Sequence, residues 1–301
     1  MKEYRKTDYH ICAPVRLTIA LLTDFHNTEP GPVLASLKAE EPDMICIAGD
    51  LLLGYRPENG NRLIVCEQKN VLKLISGCTQ IAPTYISLGN HEWMFSEEDA
   101  ERLEEAGAVV LDNRWVACRR RKTSADTEDR AADLRAQVPG EDEQKMVPPV
   151  LVGGLTSADV TDYQRFRRRA GGRYPDREDD PHYVHPDPFA AWLEDFERQE
   201  GYKILLCHHP EYWRLREPFL AERAIDLVLS GHAHGGQVRL FGRGIYAPGQ
   251  GLFPRYTGGV YENRLVVSRG LSNTTIFPRL FNPPEVVFIR LGDRNKAHAE
   301  K

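Results

Sequence analysis

Cysteine patterning of the disulfide or metal-cluster kind is missing from this chain. Its six cysteines, at positions 12, 46, 66, 78, 118 and 207 of 301, form no CxxC pair and keep no regular spacing. A disulfide scaffold is therefore not expected, and a reduced, cytoplasmic setting is. Cys46 and Cys207 sit inside apolar runs and read as small core residues. Long apolar runs are missing too. No stretch approaches the ~20 residues of a membrane span. The opening MKEYRKTDYHICAP carries charges and no apolar segment, so no signal peptide is expected. Positive charge is not in excess: the formal net charge is −5. That argues against a nucleic-acid binder, and it leaves only a local patch for any contact with a membrane surface. There is also no G-x-S-x-G elbow of the kind that presents a serine nucleophile.

What is present is a series of short apolar runs, several rich in β-branched residues and bounded by Gly, Pro or polar positions. They cover Leu17–Leu22, Met44–Ala48, Thr84–Leu88, Val150–Val152, Ile204–Cys207, Leu227–Leu229, Leu265–Val267 and Val286–Ile289. Runs of this length and boundary predict buried strands. Helical patterns lie between them. Ser96 followed by Glu97, Glu98 and Asp99 predicts a capped helix start, with Gly107 as its stop. Asp187 and Pro188 open a second pattern, in which Phe189, Trp192, Leu193 and Phe196 share one face. Alternation of this kind implies an α/β domain, and the strand-like runs between Gln237 and Leu291 suggest hairpins and a second sheet. No repeat or clean linker marks a boundary, so one domain over residues 1–301 is expected. Residues 119–149 are mostly charged or small and read as a solvated insertion, with a lid or partner-binding arm as the alternative. A basic cluster at Arg165 and Arg167–Arg169 reads as a solvated face or a contact for a phosphate-bearing substrate.

The chemistry lies in how the runs end. They terminate in Asp24-Phe25-His26, in Asp50, in Asn90-His91-Glu92, in His208-His209-Pro210 and in His232-Ala233-His234. In an α/β sheet, ligands bind beyond the carboxyl ends of strands. If these strands are parallel neighbours, five oxygen- and nitrogen-bearing groups converge on one edge. The cluster holds no thiolate, which suits Mn, Fe or Zn. Each motif alone is an ordinary turn or a satisfied histidine; it is their joint occurrence at strand ends that points to a metal site.

With these residues in hand, the sequence resembles the calcineurin-like metallophosphoesterase superfamily over about residues 16 to 291. The resemblance rests on Asp24-Phe25-His26, Gly49-Asp50, Gly89-Asn90-His91-Glu92, His208 and Gly231-His232-Ala233-His234. It implies a four-layer α/β/β/α sandwich and two metal ions. One would be held by Asp24, His26, Asp50 and His234, the other by Asp50, Asn90, His208 and His232, with Asp50 bridging. It further implies hydrolysis of a phosphodiester, phosphomonoester or pyrophosphate bond by a metal-activated water, with His91 protonating the leaving oxygen or stabilising charge there. His209 receives no metal role. The segments GHAHGGQVRL and SRGLSNTTIFPRLFNPPEVVFIRL are similar to a bacterial branch that includes membrane-anchored phosphohydrolases and relatives acting on lipid-linked substrates. A nucleotide- or lipid-linked small molecule is thus the implied partner, and Gln237 and Arg239 are candidate pocket residues. One position departs from the pattern. Many relatives carry an acid three residues after the bridging Asp, where this chain has Leu53. Either another carboxylate, with Glu92 the candidate, orients His91, or the ring works with less help. The functional alternative is a catalytically silent metal-binding scaffold, although no ligand position is missing.

Overall fold

The computed structural model describes residues 4–53, 65–92, 95–118, 148–156, 191–272 and 278–292. Two six-stranded mixed sheets face each other. The chain opens with β1 (Arg5–Cys12) and β2 (Leu17–Leu22), followed by α1 (Gly31–Glu40), β3 (Met44–Ala48), α2 (Lys69–Thr79) and β4 (Thr84–Ser87). Then come α3 (Glu97–Glu105), β5 (Val109–Leu111), β6 (Arg114–Ala117), β7 (Val150–Leu155), α4 (Ala191–Arg198), β8 (Tyr202–Cys207) and β9 (Leu227–Ser230). Two short ribbons follow, β10 (Arg239–Leu240) with β11 (Arg243–Gly244) and β12 (Tyr246–Ala247) with β13 (Gly251–Leu252). The chain closes with β14 (Gly259–Tyr261), β15 (Leu265–Val267) and β16 (Glu285–Gly292).

The first sheet runs β1-β16-β2-β3-β4-β5 and the second β14-β15-β9-β8-β7-β6. Strands β2 to β5 are mutually parallel, as are β7, β8, β9 and β15. The five motif-bearing strands are therefore not neighbours in one sheet. β2, β3 and β4 belong to the first, β8 and β9 to the second, and their carboxyl ends meet across the gap between the sheets. The C-terminal strands also divide: β14 and β15 extend the second sheet, whereas β16 returns to the first and pairs antiparallel with β2.

The near-continuous apolar runs follow from this layering, because central strands are covered on both faces. Ile19, Leu21, Met44, Cys46 and Ala48 face the second sheet and share a core with Ile204, Leu206, Leu227 and Leu229. The alternate residues Ala20, Leu22, Ile45 and Ile47 face outward onto α1, α2 and α3. On α2, Val71, Leu74, Ile75 and Cys78 recur at helical spacing on the buried face. Outside the second sheet, Leu193 and Phe196 of α4 pack with Leu205, Cys207 and Trp213. The result is the expected α/β/β/α sandwich.

The capped start of α3 is present: Ser96 accepts from Asp99 N, and the Asp99 carboxylate accepts from Ser96 N. Asp187, Pro188, Phe189, residues 119–147 and the basic cluster at 165–169 lie outside the described residues. Cys12, Cys46, Cys78 and Cys207 are free thiols. Among the described residues, no helix is long and apolar enough to cross a membrane.

Candidate metal centre

The strands deliver their motifs through exits that hydrogen-bond to one another. Beyond β2 and β3 the backbones stay paired, with Asp24 N donating to Gly49 O at 3.2 Å, His26 N to Asp50 O at 3.1 Å and Asn27 N to Leu51 O at 3.2 Å. Beyond β8 and β9, Gly231 N donates to His208 O at 3.0 Å. Asp24, His26, Asp50, His232 and His234 all have positive φ, between 44° and 64°. Non-glycine residues occupy that region at a cost, and they concentrate at functional sites. Two glycines permit the close approach. A Cβ on Gly89 would lie 2.4 Å from Asp50 Oδ1, and one on Gly49 would lie 2.7 Å from the His208 ring.

The side chains gather accordingly. Asp24, His26 and His234 bring one ligand atom each within 4.8 Å of one another, as do Asp50, His208 and His232, and so do His26, Asp50 and His91. Asp50 Oδ2 lies 3.1 Å from His208 Nε2, 3.6 Å from His26 Nε2 and 4.0 Å from His91 Nε2. Asp24 Oδ1 lies 3.4 Å from His234 Nε2. Asn90 begins the turn after β4, and its buried Oδ1 has no hydrogen-bond partner. His209 packs its ring on His232, with centroids 3.9 Å apart, and belongs to none of the three clusters.

One segment orients three of the imidazoles. Ala48 O, Leu52 O and Leu53 O lie 2.8, 3.0 and 3.0 Å from Nδ1 of His208, His26 and His91 respectively. A carbonyl only accepts, so each Nδ1 carries a proton and each ring turns its Nε2 inward. The expectation for Glu92 is thereby corrected. Its carboxylate accepts from Gly89 N at 2.7 Å, Leu52 N at 2.8 Å and Asp50 N at 2.9 Å, and so ties the β3 exit to the β4 exit. Leu53 does support His91, through its main-chain oxygen. This role of the segment was invisible in the sequence, because every residue has a carbonyl. For Glu92 the only signal was an acid closing the GNHE motif.

Charge and burial are matched to cations. Burial, reinforced by the neighbouring His91 ring, pushes His26 down to about 3. His232 is held well below its ordinary value by burial and by His209, and burial also lowers His234. Such rings are neutral donors. Burial pulls His208 down as well, but the charge and hydrogen bond of Asp50 outweigh it and carry the ring up to about 10. Burial alone would raise Asp50; the facing His208, His91 and His26 hold it well below the carboxylate range. Asp24 Oδ2, His26 Nε2 and His234 Nδ1 are buried and without hydrogen-bond partners. Orphaned buried donors and acceptors of this kind are costly unless something pairs with them, and a metal ion fits this oxygen and nitrogen set. These Asp and His clusters are thus able to hold metal.

Arg239, the other pocket candidate, braces a loop, donating to Gly235 O at 2.8 Å and to Thr257 Oγ1 at 3.1 Å, and lines a separate groove with Arg5, Phe241 and Phe281. Gln237 does line a cavity. Its volume is about 400 Å³, and it runs beside His234 between Val238, Ile245, Tyr246 and Leu252. Asn282 is a supporting residue that the motifs did not reveal: its Nδ2 donates to His234 O at 2.7 Å and to Gln237 O at 3.2 Å.

This sandwich, with acidic and imidazole side chains at facing strand ends, is the architecture of a phosphoesterase class. The chain belongs to the calcineurin-like phosphoesterase family, which it matches over residues 17–236. It is similar to an uncharacterized metallophosphoesterase of Helicobacter pylori (strain J99), at 25% identity over 93% of this chain and 61% of the relative. The uncharacterized metallophosphoesterase YkoQ of Bacillus subtilis is 24% identical over 91% of this chain and 83% of the relative. The uncharacterized protein YpbG of B. subtilis is 36% identical over a shorter stretch, 29% of this chain and 30% of that protein. The chain thus spans less than two thirds of the length of two of these relatives.

Proposed function

We propose that this protein is a dinuclear-metal phosphoesterase, with Asp50 shared between two cations. One observation carries the reading: Asp50 lies between the cluster of Asp24, His26 and His234 and the cluster of His208 and His232. Asp24, His26, Asp50 and His234 would hold the first cation, and Asp50, Asn90, His208 and His232 the second. Two such ions, of the Mn, Fe or Zn kind, would supply an activated water and neutralise charge on a phosphoryl group.

The remaining chemistry belongs to the chain. Ala48, Leu52 and Leu53 orient the rings of His208, His26 and His91, so that their Nε2 atoms converge without rearrangement. His91 is partly open to solvent, edge-on to His26 at 4.3 Å between centroids, and stands where it can hand a proton to the departing oxygen. Asn90 contributes a neutral oxygen, which leaves the centre positive enough to receive a phosphate.

The bond cleaved is a phosphodiester, phosphomonoester or pyrophosphate. A diester or a nucleotide-lipid pyrophosphate is favoured, because the cavity beside His234 is walled by Val238, Ile245 and Leu252 and suits an apolar moiety. The whole chain acts as one domain, and the scatter of its cysteines supports a reduced, cytoplasmic setting.

The test is hydrolysis of an aryl phosphodiester, an aryl monoester and a pyrophosphate by Mn²⁺-loaded protein, beside Asp50→Asn. Turnover that falls by at least ~100-fold in the variant fits loss of the shared ligand. Absence of turnover on all three substrates by protein shown to carry metal removes the enzymatic reading in favour of a silent scaffold.

A further inference from the structure

Three phenylalanines stand almost wholly in solvent on adjoining segments of the C-terminal third. Phe241 is 103% exposed, Phe253 79% and Phe281 80%, and Leu240, Tyr246, Leu252 and Leu280 beside them are about half exposed or more. The segments that carry them are contiguous. Arg239 N donates to Leu280 O at 3.0 Å, Ile245 N to Val238 O at 2.9 Å and Phe253 N to Ile245 O at 2.8 Å. Each phenylalanine has φ between 50° and 53°. A bulky aromatic in the left-handed region costs about 1–2 kcal/mol, and in water its exposed ring returns nothing to folding. Three such positions side by side form an apolar patch of the kind that marks an interaction surface.

Charge names the partner. The chain carries a net −5, yet between Asp226 and Glu262 there is no acidic residue, and Arg239, Arg243 and Arg255 are present. Between Glu262 and Glu285 there is again none, with Arg264, Arg269 and Arg279. Every tip has an exposed arginine at hand. Arg243 pairs across the ribbon with Leu240 beside Phe241, Arg255 lies two residues beyond Phe253, and Arg5 lines one groove with Phe241 and Phe281. Separate aromatic tips ringed by guanidinium groups match a bilayer interface, where rings enter the acyl boundary and arginines stay at the head groups. A protein partner would need a fitted pit for each ring; a bilayer deforms around them. We propose that this face docks on an anionic lipid surface, which brings the His234 cavity against the membrane.

The probe is co-sedimentation with vesicles of phosphatidylcholine alone and of phosphatidylcholine with phosphatidylglycerol, at low and high salt. Wild-type protein should pellet with the anionic vesicles at low salt. The triple variant Phe241→Asn, Phe253→Asn and Phe281→Asn should bind about tenfold more weakly, and Arg5→Glu with Arg243→Glu and Arg255→Glu should lose the preference for anionic lipid. Asparagine tolerates the left-handed backbone, so the fold is kept, which circular dichroism checks. Wild type remaining in the supernatant, or the triple asparagine variant pelleting unchanged, overturns the proposal. So does a wild-type dimer in velocity sedimentation that the same substitutions dissociate, since a second copy would then be the occupant. The assay reads binding alone, so its failure stands apart from that of the hydrolytic reading.

Discussion

Because the Leu53 carbonyl can only accept, His91 carries one proton on Nδ1, and the proton it would hand to a leaving oxygen is a second one, on Nε2 of the charged ring. A group that protonates a leaving oxygen matters most when that oxygen is basic. His91→Ala is therefore expected to lower kcat by ~10²–10⁴ for an alkyl leaving group and far less for a nitrophenolate. Metal content, measured by mass spectrometry, should be unchanged; equal losses on both substrates would remove the acid role. A second prediction concerns Glu211, which is buried in the turn Pro210–Trp213 that follows β8. Burial pushes its carboxyl up to about 7 from an ordinary 4.5. The unfolded chain releases that proton near 4.5 while the folded chain keeps it to about 7, so folding binds a proton within that window. Stability then falls as pH rises through it and levels off above. Glu211→Gln should remove this slope and exceed wild type by roughly 2–3 kcal/mol at pH 8. Urea midpoints at pH 5 and 8 that shift equally in both proteins would place the proton elsewhere. At this scale the gathering residues were legible, since strand-end Asp, Asn and His announce themselves by type. What steers them was not, because main-chain oxygens carry no sequence signature.

Among elements, the strands buried on both faces were readable and the others were not. β2, β3, β8 and β9 are almost wholly buried, and each appears in the sequence as an apolar run. β1 reads RKTDYHIC, lies at an edge with its early residues exposed, and pairs with β16 some 280 positions away, as in Arg5 against Glu285. β5 and β6 have three and four residues, too few to show a period. The division of the five motif strands between two sheets was likewise hidden: periodicity says that a strand is covered, not by which neighbour. The β3 and β4 exits are joined by Glu92, and that joint can be tested as an element contact. In Glu92→Gln one of the three N–H groups of Gly89, Leu52 and Asp50 meets an amide donor and loses its acceptor. A loss of about 2–3 kcal/mol in urea unfolding is expected, with weaker metal retention on dialysis. Unchanged stability and metal content would show that the joint is dispensable.

For the whole molecule, cations held between the sheets should stabilise the fold by mass action. At free metal ~100–1,000 times Kd the gain is about 3–4 kcal/mol, or roughly 5–10 °C in Tm. Chelator treatment should lower Tm by that amount and added Mn²⁺ should restore it; a Tm indifferent to both would mean that the clusters bind no ion. The contact between His208 and the Ala48 carbonyl has a mechanical side as well. It passes from one sheet to the other at the rim where β3 and β8 end. At the opposite rim Leu17, Val150, Tyr202 and Leu291 lie in the shared apolar core, whose contacts are non-directional. The two sheets thus resemble the covers of a book clasped along one margin. Sliding one sheet past the other would stretch this contact, so the clasp keeps the Asp and His clusters of the two sheets in register.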